Sequence, residues 1–369
     1  MISQSKLMRY LSLATNLYVK RCNPVSLVHF ITDRCNARCP HCFIDFEGED
    51  HGKGDLTLEE IQKISKNMGP DLMNINLTGG EPFLRKDITE IARCYFANTS
   101  IESIFITSHG GFPDRIAKFA EELRPELGKR KIIFSFSIDD FDEQHNQSRK
   151  VKNLFDNALE AYRTIDNSGE NFMANIAITI SHTNHKSVMG LYNHLVEEQK
   201  VKAVTVTAVR DEGVYNIPLE EKKSILTAYS QLSERVAKDM KSGILEGYDT
   251  STLLGRMMNK KNMIVNQIIK ETYLDPQYIS DCFAGSLFGV IGADGTVHPC
   301  EVLDRPLGSL RQYDYDFLSL WNSSKVQETR KWIKETKCNC TYECAWSLNV
   351  MGNWKYQPKM ISAALGNYW

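Results

Sequence analysis

Between residues 25 and 210 the chain alternates short β-branched runs with longer segments whose apolar positions recur at helical spacing. The runs are 27–32 (LVHFIT), 72–77 (LMNINL), 103–107 (SIFIT), 132–138 (IIFSFSI), 174–180 (ANIAITI) and 203–209 (AVTVTAV). Helical patterns fall between them near 57–68, 86–97, 112–123, 150–166 and 186–198, the first opening with Asp55-Leu56-Thr57 ahead of Glu59 and Glu60. Six strands separated by five helices predict right-handed crossovers and a parallel sheet. A curved, partial (β/α)6 barrel and a doubly wound open sheet both fit. In either, ligands belong at the C-terminal ends of the strands.

Outside that stretch the pattern changes. Residues 4–20 place Leu7, Tyr10, Leu11, Ala14, Leu17 and Tyr18 at helical spacing, which predicts a leading amphipathic helix. Segments 218–241 and 252–271 read as two helices. From about 276 the chain turns to Cys, Gly, Trp and short strand signals, with a hairpin at Ala293-Asp294-Gly295. The expected division is therefore 1–24 for the helix, 25–215 for the strand–helix domain, 216–275 for a helical connector and 276–369 for a small last domain.

Composition narrows the setting. Hydrophobic residues make up 42% and charged residues 24%, as in an ordinary globular protein, and the net charge of −2 offers no general attraction to nucleic acid or anionic lipid. No apolar run approaches the ~20 residues that span a bilayer, and no secretory signal opens the chain. The expectation is a cytoplasmic protein without nucleic-acid partners or a membrane span. The ten cysteines then argue against a disulfide framework and for metal, because most are grouped. Cys35, Cys39 and Cys42 form one group, Cys338, Cys340 and Cys344 another, and Cys282 is paired at a distance with Cys300. Cys22 and Cys94 stand alone and read as apolar thiols.

The first group, Cys35-Asn-Ala-Arg-Cys39-Pro-His-Cys42, directly follows the first strand. Three thiolates leave a cubane cluster one ligand short, so one iron stays open to a small molecule. The same trio would serve zinc if His41 or His29 supplied a fourth ligand. After the second strand comes Thr78-Gly79-Gly80-Glu81-Pro82, a turn whose glycines allow close approach of the backbone and whose carbonyls can accept from an ammonium group.

Together these segments resemble the radical S-adenosylmethionine (SAM) superfamily, whose signatures are Cys-x3-Cys-x2-Cys with a flat residue before the last cysteine, here His41, and a Gly-Gly-Glu-Pro turn. Ser135-Phe-Ser137-Ile-Asp139-Asp140, then His145 and Arg149, is similar to the family's strand-four segment, although Asp140 stands where glycine is common. Thr107-Ser108-His109-Gly110 is similar to a threonine–asparagine–glycine turn, with histidine replacing asparagine. The resemblance implies a [4Fe–4S] cluster on Cys35, Cys39 and Cys42, with His41, Thr78, Gly79, Gly80, Glu81, Ser137, Asp139 and Arg149 at the SAM site. It also implies an α/β fold: a partial (β/α)6 TIM-like barrel of parallel strands with a small C-terminal α+β iron–sulfur domain.

Cys282, Gly295 and Cys300 match the opening of the SPASM or twitch auxiliary-cluster domains, and Cys338-Asn-Cys340-Thr-Tyr-Glu-Cys344 is similar to their later half. Seven cysteines would be needed for two auxiliary clusters; five imply one further [4Fe–4S] cluster. The preferred ligands are Cys282, Cys300, Cys340 and Cys344, with Cys338 as spare or alternative ligand, and a zinc ribbon as the competing reading. His182 and His185 read as solvated, Trp346 and Trp354 as packing residues, and Asp211 and Glu212 as loop carboxylates beyond strand six.

The resemblance implies reductive cleavage of SAM to a 5′-deoxyadenosyl radical that takes a hydrogen from a substrate C–H bond, with an external donor such as flavodoxin or ferredoxin supplying the electron. An auxiliary cluster favours net oxidation, dehydrogenation or cross-linking, of a peptide or small natural product. A redox-neutral epimerase is the alternative, with an unligated Cys338 as hydrogen donor, and a non-catalytic iron–sulfur or zinc module the third. Only 34 residues precede Cys35, too few for the winged-helix leader-binding domain of many peptide modifiers. A peptide substrate would then need a separate recognition protein or the barrel itself.

Overall fold

The computed structural model describes residues 4–44, 51–210 and 217–366; Asp211 and Glu212 lie outside the described residues. In chain order the elements are α1 (Gln4–Thr15, continued by a π-helical turn), β1 (Ser26–Thr32), α2 (Leu58–Ser65), β2 (Asn74–Gly79), α3 (Ile88–Asn98), β3 (Ser103–Ser108), α4 (Pro113–Leu123), β4 (Lys131–Ser137), α5 (Asp142–Arg149), α6 (Leu154–Asp166), β5 (Phe172–Ile180), α7 (Val188–Asn193) and β6 (Val204–Ala208). There follow α8 (Leu219–Ser242), α9 (Leu253–Thr272), β7 (Phe288–Ile291), β8 (Thr296–His298), β9 (Gly308–Ser309), α10 (Phe317–Trp321), α11 (Ser324–Glu335), α12 (Glu343–Gly352) and α13 (Gln357–Ala364). The expected strands and helices are all present, and α5 and α10–α13 are additions to them.

Two compact units divide the chain: Met1–Phe136, Asn146–Ala174 and Phe283–Glu335 form the first, and Ser137–His145, Asn175–Cys282 and Thr336–Trp369 the second. In the first unit β4, β3, β2, β1 and β7 pair in that order, all parallel, and β8 and β9 extend the edge antiparallel. The segment after 276 therefore contributes β7 to the sheet itself, beside β1.

Period-two alternation separates the two faces of these strands. Ile75, Leu77, Ile104, Ile106, Ile132, Phe134 and Phe136 are fully buried on one face. The alternate positions, Asn74, Asn76, Thr78, Phe105, Thr107, Ile133 and Ser135, are half-buried and mostly polar. Helices α2, α3, α4 and α6 pack in succession, and the rings of Phe83, Phe119 and Phe134 meet at centroid distances of 5.7–6.0 Å. Helix α2 begins as its sequence predicts: Thr57 accepts from the Glu60 N–H at 3.2 Å, and the Glu60 carboxylate accepts from the Thr57 N–H at 2.7 Å.

The hairpin forms as predicted. Gly295 takes φ +83°, a left-handed value at which a side chain would be strained, and Asp294 accepts from the Thr296 N–H and hydroxyl at 2.8 and 2.7 Å.

In the second unit β5 pairs parallel with β6. Helix α8 packs on β6 and α7, while α12 and α13 both pack on α9. Buried Asp239 of α8 accepts at Oδ2 from the Tyr192 hydroxyl and from Arg235, each at 2.7 Å. Among the described residues no helix is long and apolar enough to cross a membrane.

Candidate functional site

In the first unit three loops converge at the C-terminal ends of β1, β2 and β3. The loop after β1 carries Cys35, Cys39 and Cys42, all half-buried. Its curl is held by its own polar groups. The Arg38 guanidinium donates to the carbonyls of Cys35 and Ala37 at 2.8 and 2.7 Å, the Cys42 N–H donates to the Cys39 carbonyl at 3.1 Å, and the Ala37 N–H points at the Cys35 sulfur at 3.3 Å. The Arg38 N–H reaches the Arg149 carbonyl at 2.9 Å. His41 is half-buried within the same loop. Among the described residues no three His, Cys, Asp or Glu side chains are already closed into a metal-holding group.

The turn after β2 is pressed against this loop. The Gly80 N–H donates to the Thr32 carbonyl at 2.9 Å and the Glu81 N–H to the Arg34 carbonyl at 2.8 Å. The β1–β2 register shifts between Phe30 and Thr32, which turns the strand end toward the glycines. A Cβ on Gly79 would meet the Thr32 oxygen at 2.1 Å, and one on Gly80 the Arg34 oxygen at the same distance. Close approach to a ligand was the sequence-based reason for these glycines. The closest approach found is to the Thr32–Arg34 backbone that leads from β1 into the cysteine loop, and it alone requires both residues.

Glu81 is fully buried, and its carboxylate points inward from the turn. It accepts from the Phe83 N–H at 3.0 Å, the Ser108 hydroxyl at 2.9 Å and the His109 N–H at 2.9 Å. That leaves the backbone of the turn as the part presented outward. Thr78 is half-buried one residue earlier, on the polar face of β2.

Burial raises the Cys35 thiol to about 12, helped by Glu81 and by Cys39 and Cys42, and burial raises Cys42 as well, against the opposing pull of Arg149 and Arg38. Cys35 and Cys42 in this setting resist ionising by themselves. A polycationic iron core reverses that balance, which is what a thiolate-ligated cluster requires. The donor set therefore fits the implied cluster. Zinc finds no help from His29: strand alternation sends its side chain to the helix-covered face, where Nδ1 meets the Tyr95 hydroxyl at 2.7 Å and burial holds it neutral with a pKa of about 3.

The strand-four residues occupy both units. Ser137 is half-buried at the end of β4. Asp139 is buried, its carboxylate accepting from the Thr179 N–H at 2.9 Å and its N–H facing His145 Nδ1 at 3.3 Å. Asp140 accepts from the Ser187 hydroxyl at 3.0 Å. Arg149, in the first unit, is buried. None of these contacts was legible from the motif alone.

The first unit holds Cys300, buried, and the second holds Cys282, Cys338, Cys340 and Cys344. Cys338 and Cys282 are hydrogen-bonded through their side chains, which lowers Cys338 to about 7. Cys340 offers its carbonyl to the indole N–H of buried Trp346 at 2.8 Å, whereas Trp354 is 64% exposed and is not a packing residue. Two groups had no sequence signal. Glu343 accepts from the Ala208 N–H at 3.2 Å at the end of β6, and Lys261 is buried on α9, where burial pulls it down to about 8 against the opposing influence of Cys344. His182 is exposed and Cys94 half-buried.

A family model described as the radical SAM superfamily matches residues 30–195, and one described as an iron–sulfur cluster-binding domain, SPASM, matches residues 282–345. The chain is 23% identical over 367 residues to the Fe-coproporphyrin III synthase of Methanosarcina barkeri, covering 92% of this chain and 84% of that one. It is 26% identical over 267 residues to a GTP 3′,8-cyclase of Campylobacter fetus, 71% of this chain and 70% of that one. Among solved structures it is similar to native anSMEcpe with bound AdoMet, with a TM-score of 0.61, 18% identity and coverage of 93% and 100%. It is likewise similar to Streptococcus suis SuiB bound to its precursor peptide SuiA, with a TM-score of 0.56, 15% identity and coverage of 89% and 71%.

Proposed function

The chain belongs to the radical SAM superfamily and carries a SPASM iron–sulfur domain, and from that premise we propose that it oxidises a C–H bond of a peptide or small natural product. Its fold is the superfamily's partial (β/α)6 TIM-like barrel, and its cofactors are SAM and [4Fe–4S] clusters. The observation that carries the reading is the docking of the Thr32–Arg34 backbone, which leads directly into Cys35, onto Gly80 and Glu81 of the turn through two backbone hydrogen bonds.

When bound, the cluster supplies the electron that cleaves SAM to methionine and the 5′-deoxyadenosyl radical. The chain's own residues do the rest. Cys35, Cys39 and Cys42 would supply three thiolates to the cluster, one short of a full set, so that SAM could complete its ligation. The outward backbone of residues 79–81 would accept from the amino group of SAM, buried Arg149 would pair with its carboxylate, and Ser137 and His41 would flank the nucleoside. The half-buried polar face of β1–β4 then orients the substrate C–H bond and limits water.

Cys282, Cys300, Cys340 and Cys344 hold the auxiliary cluster in this reading. The contact of Cys338 with Cys282 favours the alternative in which Cys338 replaces one of these four over its role as a lone hydrogen-atom donor, and so supports oxidation over epimerisation. SuiB, bound to a precursor peptide, supports the peptide class; the Methanosarcina barkeri synthase, similar over most of its length, supports a small molecule.

Anaerobic reconstitution tests the reading directly. About eight irons per chain are expected, and the reduced protein mixed with SAM forms 5′-deoxyadenosine. About four irons would remove the auxiliary cluster. No 5′-deoxyadenosine would leave only a non-catalytic iron–sulfur module.

A further inference from the structure

His109 is buried at the end of β3, 5% exposed, and its ring touches all three loops of the site. Nδ1 accepts the Gly111 N–H at 2.9 Å, which makes Nε2 the protonated nitrogen. Nε2–H then donates to the Asn36 side-chain oxygen at 2.9 Å, one residue past Cys35, with the Glu81 carboxylate 3.4 Å away. The His109 N–H donates to the same carboxylate at 2.9 Å. One neutral ring therefore ties the cysteine loop to the Gly-Gly-Glu turn and both to β3.

We propose that His109 is a positioning residue that latches the cluster loop to the SAM-binding turn, through Asn36 on one side and Glu81 on the other. This rests on the reading of Cys35, Cys39 and Cys42 as the SAM-binding cluster. The physical reason is preorganisation. A loop of eight residues with three thiols has many ways to hold iron but few that aim the open iron at the turn, and each hydrogen bond to a rigid strand end removes some of the others. Histidine serves because its two ring nitrogens accept from its own turn and donate to the neighbouring loop at once. Asparagine has the same two functions within a shorter reach.

His109→Leu keeps the bulk and removes both ring hydrogen bonds; His109→Gln restores an N–H donor at the position of Nε2. Asn36→Ala removes the loop's acceptor at an exposed position and leaves the buried packing untouched. Each is reconstituted anaerobically beside the wild type and titrated with SAM alone. Iron content, the electron paramagnetic resonance change on SAM addition and the SAM dissociation constant are read. The iron-free chains are compared by amide hydrogen exchange over residues 35–42.

The expected result is wild-type iron content, about tenfold weaker SAM binding in His109→Leu and Asn36→Ala, the scale of one or two lost hydrogen bonds, recovery in His109→Gln, and faster exchange of the loop. A wild-type SAM constant and spectrum in Asn36→Ala, whatever becomes of His109→Leu, overturns the latch. Failure of the wild type itself to change its spectrum with SAM overturns the cluster reading instead, so the two are separable.

Discussion

Replacing Gly80 by alanine places a methyl carbon 2.1 Å from the Arg34 carbonyl oxygen and 2.4 Å from its carbon, where real Cβ atoms essentially never come within 3.0 Å. Both obstacles are backbone, so no rotamer relieves them, and the turn must part from the cysteine loop by about 1 Å. That separation breaks the Glu81 N–H to Arg34 hydrogen bond and stretches the Gly80 N–H to Thr32 bond. Each is worth about 1 kcal/mol net. With the overpacking itself, the local loss is about 2–4 kcal/mol. Gly80 is the better probe of the pair because Gly79, at φ +148°, would add backbone strain to the clash. A 1 Å misplacement of reacting groups costs about 100-fold in rate. The expected outcome is a lower melting temperature, retained iron on the three cysteines, and 5′-deoxyadenosine formation slowed about 100-fold. Gly128→Ala is the control: it has φ +59° and nothing within 4 Å, so it brings strain without a clash and far from the site. A Gly80→Ala protein that melts with the wild type and cleaves SAM at the same rate would refute the docking of turn on loop.

Phe134→Ala removes a fully buried ring that meets Phe83, Phe119 and Phe136, and should cost about 3–5 kcal/mol, seen as a lower urea midpoint of the as-isolated protein. Glu60 is held at about 2 first by Arg311, then by the Thr57 N–H and the Tyr315 hydroxyl. A depressed carboxyl contributes stability that is whole above its unfolded pKa near 4.5 and is lost as pH falls toward 2. The melting temperatures of Glu60→Gln and the wild type should therefore stay apart near neutral pH and converge on acidification; a gap that persists at pH 2 contradicts the assignment. Cys338→Ser should release auxiliary iron while the SAM-dependent spectrum of the first cluster stays, with total iron falling from about eight toward four. Unchanged iron would return Cys338 to the role of spare thiol.

The strands were legible because each carries its burial in local alternation, and parallel order follows from the helices between them. What escaped was non-local. Phe288–Ile291 is too short a run to declare a partner, and its place beside β1 comes from the register Ser26–Phe288 through His29–Ile291, across more than 250 residues. Helix α11 did leave a signal, Val326, Thr329 and Ile333 at helical spacing and all buried, but its polar remainder hid it. Asp142–Arg149 had no apolar face to read.

At the site, residue types and spacing named the groups but not their partners. Cys35, Cys39 and Cys42 announce a loop because three ligands within eight residues have no other geometry. Glu81 looked like a ligand residue of its motif, yet its carboxylate is spent on Ser108 and His109, 27 and 28 residues on. His109 looked like a departure from the family turn, and the structure explains it by a contact with Asn36, 73 residues back. The glycine pair shows the difference most plainly. A Gly-Gly turn says that something comes close without saying what, since any backbone or ligand forbids a Cβ equally well. Here the neighbour is the Thr32–Arg34 backbone, so the turn is a seat for the cysteine loop before it is a seat for a substrate. The glycine signature of the superfamily thus seats the backbone that leads directly into its cysteine signature.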